Sequence, residues 1–431
     1  MVGVAPIERT TSAMPERDRL HFLLLNIGHF LDHMFTLIFA TVAALALSRD
    51  WGLSYSDLLK YAIPGFVAFG VFSYPAGWLA DKWSREGMMV AFFIGIGIVA
   101  IVTGFARTPL ELGIGLFVIG MFAAIYHPVG LAIVVAKWKN TGMRIAVNGV
   151  WGNFGVASAA LITGYMIDNG GWRAAFIAPG VFAIIVGIAY AWLRRREIVS
   201  DSQRQSATAT PAPVALAPHY KALLLRVAAI VFVTTAISSI IFQSTTFALP
   251  KIFDERLHGI GTILAVWLNA AGVPGRADVA TVIGSLAFVV FAVASMAQLV
   301  VGSLLDRFGP RPVFMTLAAI QLVFFAAMPG VQNWAALAVA LGFMLGAFGQ
   351  IPINDYMIGR MAQGEARARI YAIRYVVSFT ALAAALPLIA VVYERWGFDT
   401  LFQILALTAF AILIAVSLLP RQLPSPVAVS T

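Results

Sequence analysis

The chain has 431 residues, 60% of them hydrophobic and only 11% charged. Soluble domains carry about 25% charged residues, so most of this chain is expected to face lipid or other helices. The net charge of +9 would suit nucleic acid, but the bases fall in alternate loops as in a membrane protein, and the lack of cysteine excludes disulfides and thiolate metal sites.

Residues 1–19 form a polar tail carrying Arg9, Arg17 and Arg19. No short apolar core with a small-residue cleavage site follows, so the first apolar run reads as a retained membrane helix. A bilayer core takes about 20 apolar residues per helix. On that ruler the first half spans near 20–48, 54–80, 88–106, 109–136, 145–168 and 171–193. The second half spans near 220–250, 279–304, 312–329, 333–359, 369–394 and 397–419. The expectation is an all-α integral membrane protein: twelve transmembrane helices in two pseudo-symmetric six-helix bundles, 20–193 and 220–419. Residues 194–219 form the linker, which opens with Arg194, Arg195 and Arg196 and continues in Ser, Gln, Thr, Ala and Pro. Residues 420–431 form a second tail.

Lys and Arg set the orientation. With the N-terminus inside, 19 of the 29 bases lie in cytoplasmic segments and 8 on the other side. Both termini are therefore expected in the cytoplasm, at the cell inner membrane. The segment 251–278 is an insertion relative to the first half. Its apolar part, Gly259 to Gly272, is too short to span and reads as an interfacial helix or lid.

Two stretches repeat at an offset of 225: Gly77, Asp81 and Arg85 lie in the first, and Gly302, Asp306, Arg307 and Arg311 in the second. Each ends a long apolar helix in a charged turn, where an acid beside a base must be paired or bonded to a helix end. Pro128 and Pro352 match at 224, and Gly171 and Gly397 at 226. The G-x-L-x-D-R/K-x-G-x-R/K pattern resembles the signature of the major facilitator superfamily. Ser84 stands where that family usually has glycine and Glu86 where it usually has a base. Gly28 to Asp32 and Ala124 to Pro128 look like the fosmidomycin-resistance, drug-exporter-like branch. The resemblance implies two bundles of parallel direction around a midplane cavity, lined by the first and fourth spans.

Chemistry is expected in that cavity. Asn26, His29, Asp32, His33 and Thr36 share one stripe of the first span at spacings of three and four. His29 sits about nine residues from the expected end of the span, roughly 13 Å deep at 1.5 Å per residue. An acid at that depth must face other helices or water. With imidazoles it forms a proton-carrying pair; the rival reading is a structural polar network. Tyr126 and His127 stand on the fourth span beside Pro128, which can bend it at the cavity. A metal site built from the histidines is the less favoured reading. In the fifth span Gly149, Gly152, Gly155 and Gly164 suggest close helix packing, and the stretch resembles the antiporter motif of drug exporters. Trp151 is either packing or cavity wall. Gln243 is the best substrate contact in the seventh span, whose many hydroxyls can bond back to their own helix. Asp355 and Arg374 are placed to form an inner gate or a packing pair.

No phosphate-cradling glycine loop with Lys-Ser/Thr occurs, which disfavours an ATP-driven pump. The reading is a secondary transporter, not an enzyme, without cofactor or resident metal. It is expected to act as a monomer on a small polar or amphiphilic molecule, with protons, in the lipid bilayer and without nucleic acid. Proton-coupled efflux is the leading mode. Importer or facilitator, non-transporting sensor, and membrane enzyme are the rivals.

Overall fold

The computed structural model describes residues 16–138, 141–200, 218–272, 275–361 and 364–420. Among these the chain is helical throughout: α1 (Glu16–Val42), α2 (Ser48–Trp51), α3 (Tyr55–Lys82), α4 (Arg85–Gly104), α5 (Pro109–Ala123), α6 (Tyr126–Lys137), α7 (Thr141–Ser200), α8 (Pro218–Arg256), α9 (His258–Ala270), α10 (Val279–Phe308), α11 (Pro310–Ala327), α12 (Asn333–Gly349), α13 (Ile351–Met361) and α14 (Gly364–Ser417). A π-helical turn over Ala43–Leu47 joins α1 to α2, so Glu16–Trp51 is one run of 36 residues. At 1.5 Å per residue it reaches about 54 Å, longer than a hydrocarbon core of about 30 Å.

Among the described residues, ten helical runs are long and apolar enough to cross a membrane. Two of them hold a pair of spans each, which accounts for the expected twelve. α7 turns at Gly171 (φ 73°) and α14 at Gly397 (φ 76°). Both lie in the left-handed region that side chains avoid. The contacts show that each turn reverses the chain. Asn26 meets Asn148 and Phe30 lies against Gly155, so the first arm of α7 runs parallel to α1. Arg17 meets Leu193 and His21 meets Tyr190, so the second arm runs antiparallel. The other half repeats this. Ser239 meets Ser378 and Glu255 meets Tyr393, making the first arm of α14 parallel to α8. Arg226 meets Leu418 and Arg256 meets Asp399, making the second arm antiparallel.

The two expected prolines sit at equivalent breaks. Ala124 and Ile125 separate α5 from α6 ahead of Pro128, and Gln350 separates α12 from α13 ahead of Pro352. Proline lacks the amide that would bond the carbonyl four residues back and clashes with that turn. Within α9, which occupies the expected insertion, Ile263, Val266 and Trp267 are exposed. The ends of the first bundle differ from expectation: α1 begins at Glu16 rather than near 20, and α7 runs to Ser200 rather than 193. Residues 201–217 of the expected linker, and residues 1–15 and 421–431 of the tails, lie outside the described residues.

The halves touch on the side where α1 ends. Phe247 of α8 packs between Phe39 of α1 and Phe66 of α3, with ring centroids 6.4 and 5.7 Å away, and Tyr55 meets Tyr393 at 5.5 Å. α7 meets α10 through small residues. A Cβ on Gly164 would stand 2.2 Å from the Ala280 carbonyl oxygen, and one on Gly284 would stand 2.2 Å from that of Ala160. Asp168 of α7 accepts from the amides of Asp278 and Thr281 and from the Thr281 hydroxyl, capping α10 across the interface at 2.9, 2.7 and 2.6 Å.

Candidate functional site

A cavity of about 220 Å³ lies between the halves, and its two walls differ in chemistry. The first half contributes His33 and Thr36 from α1, Phe66 and Phe69 from α3, and His127 from α6. The second half contributes hydroxyls and amides: Thr235, Ser238, Ser239 and Gln243 of α8, Gln350 and Asn354 flanking or within α13, and Ser378 of α14. Among the described lining residues, the titratable groups stand on the first wall, and the second offers neutral hydrogen-bonding groups. Among the described residues, Thr235 Oγ1, Ser238 Oγ, Gln350 Oε1 and Asn354 Oδ1 are buried without a hydrogen-bond partner. Buried polar atoms are normally satisfied, so this wall carries unmet hydrogen-bonding capacity.

Behind the first wall sits a polar cluster held by three helices. His29 lies over Gly152 of α7, where a Cβ would stand 2.7 Å from His29 Nε2. Only a bare backbone admits the ring. Next to it, Gly155 lets the Phe30 backbone approach so closely that a Cβ would stand 2.2 Å from its carbonyl oxygen. His29 Nδ1 lies 2.8 Å from the Asn148 carbonyl oxygen and its ring stacks on Tyr126, with centroids 4.8 Å apart. His33 Nε2 is 3.2 Å from His29 Nε2. His127 Nε2 is 3.3 Å from Asp32 Oδ2. Asp32 is fully buried, and among the described residues neither of its oxygens has a hydrogen-bond partner. A carboxylate in that position faces protein rather than lipid, as the sequence required.

The structure divides the expected stripe. His33, Thr36, His127 and Gln243 line the cavity. His29 and Asp32 touch those lining imidazoles from behind. Asn26 and Tyr126 are placed further back and hold the helices together. The Asn148 amide donates to Asn26 Oδ1 at 2.9 Å and to the Tyr126 hydroxyl at 2.8 Å, and that hydroxyl donates to the Leu25 carbonyl at 2.8 Å. Trp151 is half-buried and outside the cavity lining. Asn148, outside the expected set, joins three of its members, His29, Asn26 and Tyr126. Its signal was an uncompensated amide in an apolar span, four residues before Gly152.

The repeated charged turns do not bond alike. In the first, Asp81 accepts from Arg85 at 2.8 Å, on an exposed surface. In the second, Asp306 is exposed, Arg307 stacks on Phe308 with 5.0 Å to the ring centroid, and Arg311 donates to the Ser417 carbonyl at 2.7 Å. A Cβ on Gly77 would meet Pro128 Cβ at 3.4 Å, ordinary contact between α3 and α6, whereas Gly302 faces open space. The side chains of Asp355 and Arg374 lie outside the described residues.

The family described as Major Facilitator Superfamily matches residues 25–277 and 277–430. A gallate transporter of Pseudomonas putida is 24% identical over 152 residues, a match spanning 35% of this chain and 34% of that protein. A probable 4-methylmuconolactone transporter of Cupriavidus pinatubonensis is 22% identical over 394 residues, 87% of this chain and 84% of the other. The crystal structure of a D-xylose–proton symporter superposes with a TM-score of 0.68 at 12% identity, covering 94% of this chain and 99% of that one.

Proposed function

The chain belongs to the major facilitator superfamily, and from that premise we propose that it is a proton-coupled secondary transporter of a small polar or amphiphilic metabolite. The fold is a multi-pass membrane one, and the relatives named above are transporters rather than enzymes. The single observation that carries the proposal is the division of the cavity between a titratable wall and a neutral hydrogen-bonding wall.

In this reading the hydroxyls and amides of α8, α13 and α14 hold the solute. Asp32, reached through His127 and His33, takes up and releases the proton. A carboxylate buried without a bonded partner changes the charge of its surroundings by a full unit when protonated. A differential stabilisation of one access state by that change shifts the equilibrium between states. The cavity lies below the range of about 300–1,000 Å³ of drug-sized sites, which favours a small solute. Gallate and 4-methylmuconolactone, named for the relatives, are of that kind. The relatives' names therefore favour metabolite transport over the drug-efflux branch that the motifs resembled. The bias of bases supports an orientation with both termini on the cytoplasmic side of an inner membrane.

The experiment is proton movement in proteoliposomes loaded with a pH-sensitive dye and challenged with gallate and related small organic acids. The wild-type chain should couple solute flux to protons, and Asp32→Asn should move solute without protons or not at all. Undiminished coupling in that variant would remove Asp32 from the mechanism. Outward movement with inward proton flow would assign efflux.

A further inference from the structure

The chain has six histidines, and three of them converge. One ring nitrogen from each of His29, His33 and His127 lies within 4.8 Å of the others. We propose that these three imidazoles form a binding site for a divalent first-row cation of the zinc type, with Asp32 orienting His127 and the fourth coordination position open to the cavity. The proposal goes beyond the transport reading; it shares its cavity and the residues Asp32, His33 and His127, but not its solute or its proton gradient.

Tautomers support it first. A carbonyl oxygen only accepts, so the contact between His29 Nδ1 and the Asn148 carbonyl places the His29 proton on Nδ1. Its Nε2 then carries the lone pair that a metal needs. A ligating histidine characteristically donates its other N–H to a backbone carbonyl or a carboxylate. His29 has the first kind of partner, and His127 Nε2 stands 3.3 Å from the Asp32 carboxylate.

Distance supports it next. At a metal–nitrogen bond of about 2.0–2.1 Å, two tetrahedral ligands stand about 3.4 Å apart. His29 Nε2 and His33 Nε2 are 3.2 Å apart. The third nitrogen lies within 4.8 Å, so closing the triangle asks for a shift of up to about 1.4 Å in the His127 ring. Charge completes the case. Among the described residues the buried Asp32 carboxylate makes no hydrogen bond beyond its 3.3 Å approach to His127 Nε2, and a divalent ion behind His127 would balance its charge. Imidazole ligands without thiolate suit zinc, cobalt, nickel or copper rather than magnesium or calcium. His33 and His127 both line the cavity, which supplies the access path.

The test is equilibrium titration of the purified full-length protein in detergent with Co²⁺, read by visible absorption and by displacement with Zn²⁺. The expected result is one equivalent bound with the intense bands of a four-coordinate ion. His33→Gln and His127→Gln should each abolish the bands, and Asp32→Asn should weaken affinity by about 10- to 100-fold, the usual loss with an outer-shell partner. Equal thermal midpoints of the histidine variants and the wild type keep the result interpretable, and Mg²⁺ should not compete. No bands, or bands that survive in both histidine variants, would overturn the site. Because the titration involves no solute or proton gradient, its failure leaves proton coupling untouched, and a loss of coupling leaves the titration standing.

Discussion

The Glu86 carboxylate accepts a hydrogen bond from Arg194 at 2.9 Å, with both side chains buried, and so ties the start of α4 to the end of α7. Tyr190 donates to the same carboxylate, and His21 Nε2 stands 3.4 Å from it. At an offset of 225 in the other half, Arg311 ties the start of α11 to the end of α14 through the Ser417 carbonyl. One joint is thus made twice, with the sign of the α4 and α11 partner reversed. This explains why Glu86 departs from the family pattern: its base is supplied by Arg194 instead.

Removing one member of a buried ion pair leaves a charge stranded, at a cost of about 3–5 kcal/mol. Arg194→Met should therefore lower the thermal midpoint in detergent sharply. Arg311→Met, which loses a bond of about 1.5–3 kcal/mol to a carbonyl, should lower it less. The double variant Glu86→Gln with Arg194→Met should recover part of the loss. A midpoint unmoved by Arg194→Met would deny the joint any structural role.

The other departure, Ser84 for glycine, has a local cause. Ser84 is extended at φ −167° and its hydroxyl accepts from the Gly87 amide at 3.1 Å, capping α4. Its counterpart Gly309 sits at φ 79°, ψ 171°, a region almost reserved for glycine. The exchange should be asymmetric. Gly309→Ser should cost about 1–3 kcal/mol of strain, whereas Ser84→Gly should cost only a few tenths. Thermal unfolding of the two variants compares them directly, and equal midpoints would contradict the geometry.

Asp168 caps a helix of the opposite half, so it stabilises only the arrangement in which α7 and α10 meet. Loss of a cap costs about 1 kcal/mol, a factor of about five in an equilibrium constant. Asp168→Ala should shift the chain toward states open where α1 ends. The chain has no cysteine, so a single Thr246→Cys at the cavity gives labelling without background. Its reaction with a water-soluble maleimide should speed up several-fold in the Asp168→Ala protein, and an unchanged rate would argue against the cap as a latch.

A bulkier wedge at the same interface should act more strongly. Gly164→Leu would drive its side chain into the Ala280 backbone, while Gly149 has nothing within 4 Å of its absent Cβ. Labelling of Thr246→Cys should therefore rise further with Gly164→Leu than with Asp168→Ala and stay level with Gly149→Leu. Equal effects of the two leucines would point to general destabilisation instead.

Much of the fold was legible because it depends on local composition. Apolar length sets a span wherever it falls, and the left-handed turns at Gly171 and Gly397 need a residue without a Cβ, so repeat and hairpins were both written along the chain. The stripe from Asn26 to Thr36 was legible for the same reason, since helical spacing puts those residues on one face.

Which part of that stripe would reach the cavity was decided by helices distant in sequence. Gly152 and the Asn148 carbonyl hold His29 back from the opening, and His127 of α6 stands beside Asp32. The hydroxyls of α8 looked alike in sequence, but only Thr235, Ser238, Ser239 and Thr246 among them line the cavity, while Thr234, Ser244 and Thr245 do not. Asp168 gave no local sign of capping a helix of the other half. Periodicity tells which residues share a face of one helix; what that face meets depends on how the helices pack, and no single helix carries that information.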